Sequence, residues 1–309
     1  MQDEKIYIIG HKNPDLDSVA AAISYAQFKN KTENTDKYIP AVLGKINQET
    51  EFILNKFDFP VPEILENASG KKIILVDHNE EKQSVDNIKD ADILELVDHH
   101  KLNFSYHEPI TINIKPLGAT CSIIFQEFQK KDLEINKNLA GLMLGAILVD
   151  TVITKSPTCT EEDKNIIKRL SDILALENWY EFGLEIFKVR SSVAQFSEEE
   201  IIKSDFKDFD FNGQKVGIGQ VETVALDEFE DRQEKLLEKL RDIKEQENYH
   251  TVVLFITDII KEGSLFLVIS EDEAKFNQAF ETKLENKKVY LENILSRKKQ
   301  VAPFLEKIF

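Results

Sequence analysis

The stretch KIYIIGHKNPDLDSVAAAISYAQFKN, residues 5–30, changes its pattern partway through. KIYIIG is a short apolar run that reads as a buried strand, and SVAAAISYAQFKN reads as a helix capped by Ser18. Between them, the seven residues His11 to Asp17 hold one imidazole and two carboxylates, His11, Asp15 and Asp17, on a turn stiffened by Pro14. A strand that passes through a polar turn into a helix is the repeating piece of an open α/β sheet. Such sheets place their ligands at the carboxyl ends of the strands. Nitrogen and oxygen donors so close together suit Mn²⁺, Co²⁺, Mg²⁺ or Zn²⁺. The same residues also fit an Asn-Pro-Asp turn with a capping aspartate, and residues 11–17 alone leave both readings open.

Working outward, IPAVLG (39–44) is a second strand and Asn47–Asn55 a helix. KKIILVDH (71–78) and DILELVDHH (92–100) are apolar runs that end abruptly in acidic and histidine residues. GATCSIIFQEFQKK (118–131) and LAGLMLGAILVDT (139–151) have the small-residue and apolar spacing of helices packed on a sheet. Strands alternating with helices predict a doubly wound, mostly parallel α/β sheet. The texture changes at RSSVAQ (190–195), ahead of the acidic run Ser197–Glu200. Beyond it, KVGIGQVE (215–222), TVVLFITDII (251–260) and GSLFLVIS (263–270) are strands, with a charged surface helix over Asp227–Glu247. That is a smaller α/β unit with a mixed sheet. A length of 309 residues suits two domains. The expected division is a metal-binding domain at 1–189, a hinge linker at 190–196 and a C-terminal domain at 197–309.

Two further clusters repeat the chemistry of the first. Asp77-His78-Asn79-Glu80 follows IILV, and Asp98-His99-His100-Lys101 follows LELV. Four of the six histidines fall in these three loops. An aspartate at a strand end commonly caps the next helix, but two strand ends that each deliver Asp-His are harder to explain that way. Asp150 closes the apolar run 139–149; it either reaches solvent at a helix end or finds a cation, since an unpaired buried carboxylate is costly. Together His11, Asp15, Asp17, Asp77, His99 and Asp150, with His78, Asp98 and His100 nearby, exceed what one divalent ion needs. Two ions ~3.5–4 Å apart would use them, and such pairs serve phosphoryl hydrolysis. Far along the chain, Ser296-Arg297-Lys298-Lys299-Gln300 forms a dense cationic loop. It is either a solvated turn or a clamp for phosphate oxygens.

The formal net charge of −17 disfavours nucleic-acid and membrane-surface partners, although a metal reverses the field locally. The two cysteines, Cys121 and Cys159, form no CxxC pair and read as core residues of a protein from a reducing compartment. With no apolar run of ~18 residues and no signal-like start, the expected location is the cytoplasm.

GHKNPDLDS, ILVDHNE, LVDHHK, the Asp150 segment with its following KSPTCT, and SRKKQV resemble, in order and spacing, the family II inorganic pyrophosphatases of the DHH phosphoesterase superfamily. The first four are shared across the superfamily, and SRKKQV marks the pyrophosphatase branch. The resemblance covers essentially the whole chain. It implies a C-terminal domain of the DHHA2 type and an active site in the cleft between the domains, which close over substrate around Arg190–Phe196. It implies that His11, Asp15 and Asp77 bind one metal, and that Asp17, Asp77, His99 and Asp150 bind a second, with Asp77 bridging. His100 would contact the phosphate or assist proton transfer. Arg297, Lys298 and Lys207, the last in SDFKDF, would hold pyrophosphate. The reaction expected is hydrolysis to two orthophosphates by a hydroxide shared between the metals. A DHH-type exopolyphosphatase or nucleotide phosphodiesterase is the alternative. The resemblance also implies two tight Mn²⁺ or Co²⁺ ions, Mg²⁺ brought with substrate, and a homodimer.

Overall fold

The computed structural model describes residues 5–191 and 196–309, so positions 192–195 of the expected hinge lie outside the described residues. The chain divides between Arg190 and Ser191 into two compact units. The first runs β1 (Ile6–Ile9), α1 (Leu16–Glu33), β2 (Tyr38–Val42), α2 (Gln48–Lys56), β3 (Glu63–Ile64), β4 (Lys72–Val76), β5 (Asp92–Asp98) and β6 (Thr111–Ile114). Helices α3 (Thr120–Lys130), α4 (Lys137–Asp150), α5 (Glu161–Leu174) and α6 (Trp179–Ser191) follow. The strand order is β3-β2-β1-β4-β5-β6, and every pairing is parallel.

This order explains the position of the site. The chain moves outward from β1 through β2 to β3, then returns to build β4, β5 and β6 on the other side. Ligands of such sheets bind at the switch, here between β1 and β4, outside the carboxyl ends of the strands. Ile8, Ile9, Ile73, Ile74 and Leu96 are buried, as expected of strands covered on both faces. In α4, every residue from Leu139 to Val149 is buried, which accounts for its lack of a polar face.

The helix after β1 begins earlier than the hydrophobic pattern indicates. Its cap is Asp15, whose carboxylate accepts from the Ser18 backbone N–H at 2.9 Å. Ser18 is not the cap, because its hydroxyl accepts from the backbone N–H of His11 at 3.0 Å. Asn47 caps α2 by accepting from the Thr50 N–H. β3 and β6 are short edge strands without a long apolar run, so hydrophobic pattern alone does not reveal them.

The second unit contains α7 (Glu198–Lys203), β7 (Phe206–Phe211), β8 (Gln214–Thr223), α8 (Gln233–Gln246), β9 (Thr251–Asp258), β10 (Gly263–Ser270), α9 (Glu273–Ala279), β11 (Lys288–Glu292) and α10 (Ala302–Glu306). Its sheet has the order β11-β10-β9-β8-β7. β8 and β9 are parallel and the other neighbours antiparallel. Asn212 and Gly213 join β7 to β8 with φ of 54° and 84°, the left-handed pair that a two-residue hairpin requires. The central strand β9 is buried on both faces. Val252, Leu254 and Ile256 pack with Leu236 and Leu240 of α8, while Val253 and Phe255 pack with Phe276, Val301 and Leu305.

Two expectations need correction here. The charged helix is regular only from Gln233, and Leu226–Arg232 is a 3-10 turn with Phe229 fully buried. The cationic segment is not a loop. Arg297–Val301 forms a π-helical turn capped by Ser296 and runs directly into α10, because Val301 and Leu305 are drawn into the core.

Candidate metal centre

His11 owes its place to Gly10. A Cβ on Gly10 would collide with Ser18 Oγ, the atom that accepts the His11 N–H. The absence of a side chain therefore lets the end of β1 touch the first turn of α1. Gly10→Ala is expected to push these apart, weakening Mn²⁺ binding about 10–100-fold, as loss of supporting contacts around metal ligands does. Titration of the variant with Mn²⁺ checks this, and an unchanged affinity would show that the close approach is dispensable.

Asp77 leaves β4 with φ of 60°, a left-handed conformation that a non-glycine residue adopts at some cost. Its own N–H still bonds Val97 O at 3.0 Å, so the sheet continues while the side chain turns. It is 1% exposed, and Thr120 Oγ1 donates to its Oδ1 at 2.9 Å. The amino end of α3 holds Asp17, whose carboxylate accepts from the Thr120 and Cys121 N–H groups at 2.6 and 3.0 Å. Asp17 is thus stabilised by the positive end of a helix dipole. Asp150 is the opposite case. It ends α4 at the negative pole, and no basic residue sits in that last turn.

These side chains converge. His11, Asp15 and Asp77 bring donor atoms within 4.8 Å of one another, and so do Asp17, Asp77, His99 and Asp150. Asp77 belongs to both groups. Its Oδ2 lies 3.5 Å from His11 Nε2 and its Oδ1 3.5 Å from His99 Nε2. His99 Nε2 is 3.7 Å from Asp150 Oδ2, and His11 Nε2 is 3.3 Å from Asp15 Oδ2. Ligand atoms each ~2.0–2.2 Å from a shared cation stand about this far apart.

Three observations fit these residues to cations. His99 donates from Nδ1 to Leu117 O at 3.0 Å, because a carbonyl only accepts, which leaves a lone pair on Nε2. That Nε2 is buried and has no hydrogen-bond partner among the described residues. Burial, then the charges of Asp17 and Asp15, pushes the pKa of Asp77 well above the usual carboxylate range. Burial, then Asp17 and Asp77, does the same to Asp150. So many carboxylates do not all ionise together unless a positive charge joins them.

Asp98 and His100 form a separate pair beside these groups. Asp98 is fully buried and accepts from His100 Nδ1 at 2.9 Å, from the His100 backbone N–H at 3.0 Å and from Asn79 Nδ2 at 2.6 Å. Burial would raise the Asp98 pKa, but the bonds from His100 and Asn79 bring it below the usual value. The bond to Asp98 raises that of His100 against its partial burial. His100 Nδ1 also comes within 3.9 Å of Asp77, but Asp98 already occupies that atom, which argues against His100 as a ligand. His78 is a buried side chain. Its Nδ1 donates to Val76 O, and burial lowers its pKa to about 4, so it is neutral at ordinary pH.

In the second unit, Lys207, Arg297 and Lys298 line one cavity of about 620 Å³. Asp210, Glu222 and Glu306 share that lining, so three bases there meet three acids, whereas the whole chain has 39 bases against 56 acids. Arg297 is not a free surface cation. It is 7% exposed and pairs with Asp205.

Several supporting residues escape a reading by motif. Thr120 touches Asp77 through a side chain distant in sequence, and Asn79, although it lies in the second cluster, shows its bond to Asp98 only in the fold. Asp163 is fully buried and accepts from Gly118 N, Ser122 Oγ and the Thr160 N–H and hydroxyl. It thereby anchors the 117–122 turn that supplies the carbonyl for His99 and the amides for Asp17. The capping spacing Thr160-x-x-Asp163 was the one available signal. Cys121 is buried beside Asp17, whereas Cys159 is only half-buried, so the reading of both as core residues holds for Cys121 alone.

Residues 5–147 match the DHH family, N-terminal domain, and residues 184–308 match the DHHA2 domain. A manganese-dependent inorganic pyrophosphatase of Methanocaldococcus jannaschii is 46% identical over 98% of this chain and 99% of its own length. One from Methanothrix thermoacetophila is 44% identical over 99% of each. The chain belongs to the family II, manganese-dependent inorganic pyrophosphatases. A crystal structure of a putative family II inorganic pyrophosphatase from Methanococcus jannaschii matches with a TM-score of 0.63 and 45% identity, covering 98% of this chain and 99% of that one. An exopolyphosphatase-related protein from Bacteroides fragilis matches over 98% of this chain and 92% of its own, with a TM-score of 0.50 and 16% identity, a likeness of fold alone. Among the described residues, no helix is long and apolar enough to cross a membrane.

Proposed function

We propose that this chain hydrolyses inorganic pyrophosphate to two orthophosphates by direct transfer to water, with no covalent enzyme intermediate. The observation that carries this reading is the sharing of Asp77 between two sets of ligand atoms, His11 and Asp15 on one side and Asp17, His99 and Asp150 on the other. Two Mn²⁺ or Co²⁺ ions held there would acidify water and neutralise phosphate oxygens, the known use of paired metals. The rest belongs to the chain's own groups. Asp17 and Asp150 supply charge, and His99 presents a lone pair fixed by Leu117 O. His100, with Nδ1 occupied by Asp98, offers Nε2 to a phosphate oxygen or to the proton in transit. Lys207, Arg297 and Lys298 take the departing phosphate and stabilise the charge that develops on it. By family resemblance, Mg²⁺ arrives with the substrate, and the enzyme works in the cytoplasm as a homodimer.

The deciding experiment measures phosphate release from pyrophosphate with Mn²⁺, then after chelation. Release that chelator abolishes and Mn²⁺ restores is expected. Tripolyphosphate should turn over far more slowly; a preference for it, or activity that survives chelation, overturns the reading.

A further inference from the structure

Arg297 opens the π-helical turn, yet its guanidinium is folded into its own unit. Nη1 donates to the backbone oxygens of Asp205 and Ile218 at 2.5 and 3.3 Å, and Nη2 donates to Asp205 Oδ1 at 2.6 Å. A guanidinium carries five N–H groups in one plane. These three bonds use both hydrogens of Nη1 and one of Nη2, at the end of the group. What remains is Nε–H and the second Nη2–H, which lie side by side along one edge. That edge has the spacing of two phosphate oxygens. Among the described residues no acceptor bonds it. Asp205 itself is tied to the sheet, because its carbonyl also accepts the Gln220 N–H at 3.0 Å.

We propose that Asp205 is a positioning residue for the pyrophosphatase reaction, holding the end of the Arg297 guanidinium so that its free edge takes a phosphate group of the substrate. This rests on the reading of Arg297 as a phosphate ligand. Asp205 immediately precedes β7, which carries Lys207, and Lys207 and Lys298 line the same cavity as Arg297. Asp205 therefore links the amino end of β7 to the π-turn through its carbonyl at Nη1 and its carboxylate at Nη2. Without the carboxylate, the arginine keeps its charge and its two carbonyl bonds at Nη1 but loses the bond that fixes Nη2, one of the two donors of the free edge that two-point recognition requires.

The test is a set of variants of the Mn²⁺-loaded enzyme. Asp205→Ala should raise KM for pyrophosphate about 10–100-fold, the scale on which misplacing a substrate-positioning group acts, while kcat falls less. Manganese content and melting temperature should stay near those of the wild type, since the Asp205 side chain is half exposed. Asp205→Asn keeps an oxygen acceptor and should recover most of the loss. On an Arg297→Ala background, Asp205→Ala should add less than about twofold, because residues acting as a unit are not additive. Calorimetric binding of imidodiphosphate, which is not hydrolysed, should weaken in parallel. Wild-type kinetics and binding in Asp205→Ala would overturn the proposal, as would full additivity with Arg297→Ala. If Arg297→Ala itself binds and turns over normally, the phosphate role of Arg297 fails and the proposal fails with it. If the wild type releases no phosphate, the pyrophosphatase reading is what fails; the imidodiphosphate titrations then still decide whether Asp205 orients Arg297.

Discussion

Asp77→Asn is expected to lower pyrophosphate hydrolysis by at least about 10²–10³-fold, the scale of losing one group that stabilises charge in the transition state. Bound manganese should be lost with it. Asp77 is the only residue common to the two ligand sets above, with one oxygen 3.5 Å from His11 and the other 3.5 Å from His99. An asparagine keeps one oxygen, which still accepts from Thr120, but turns the second position into a donor that repels a cation. The variant should fold, since shape and the Thr120 bond survive. Elemental analysis that still finds two ions per chain would refute the shared role.

The same substitution has a second readout, with a sign fixed by burial. Burial and the neighbouring charges of Asp17 and Asp15 raise the folded-state pKa of Asp77 above its unfolded value. A group shifted in that direction favours folding below the unfolded pKa, and that advantage is lost as pH rises through the folded pKa. In chelator, above the ordinary carboxylate range, buried Asp77 is thus a burden on the native state. Metal-free Asp77→Asn should therefore melt above metal-free wild type, with the gap closing as pH falls toward the ordinary carboxylate range. A variant that melts lower at every pH would mean that the carboxylate stabilises the metal-free fold.

Arg297→Ala is expected to cut kcat/KM by about 10³-fold, within the range of arginines that stabilise a transferring phosphoryl group. It should raise KM and lower kcat together, because the same fork meets the phosphate in the bound state and in the transition state. Arg297→Lys should recover little, since an ammonium replaces the charge but not the planar pair of donors. Manganese content should remain at the wild-type level, because the ligand sets lie wholly within residues 11–150. That separates this loss from the loss in Asp77→Asn. Normal turnover would show that the cations of the π-turn are a structural feature of the C-terminal core.

Much of the site was legible because its residues sit at the ends of apolar runs. Ile73–Val76 must be a strand to bury both faces, and a strand end is where a parallel sheet exposes polar groups. The donor set His11, Asp15, Asp17, Asp77, His99 and Asp150 therefore follows from local pattern together with one topological rule. What holds these donors was not legible. Thr120 reaches Asp77 across 43 positions, and Asp163 reaches Gly118 across 45, so no local window contains either pair. Ser18 looked like a cap because serine prefers that position, but the approach at Gly10 gave its hydroxyl to His11 and left the cap to Asp15.

The sequence by itself determined the α/β architecture, the family and the candidate donor residues, since hydrophobic period, motif spacing and donor chemistry are properties of short segments. Tertiary structure alone decided the strand order β3-β2-β1-β4-β5-β6, which brings the ends of β1 and β4 side by side. It also decided that Arg297 is held by Asp205 across 92 positions. Each of these depends on where a side chain points once the core has packed, and packing is set by contacts that the order of residues along the chain does not display.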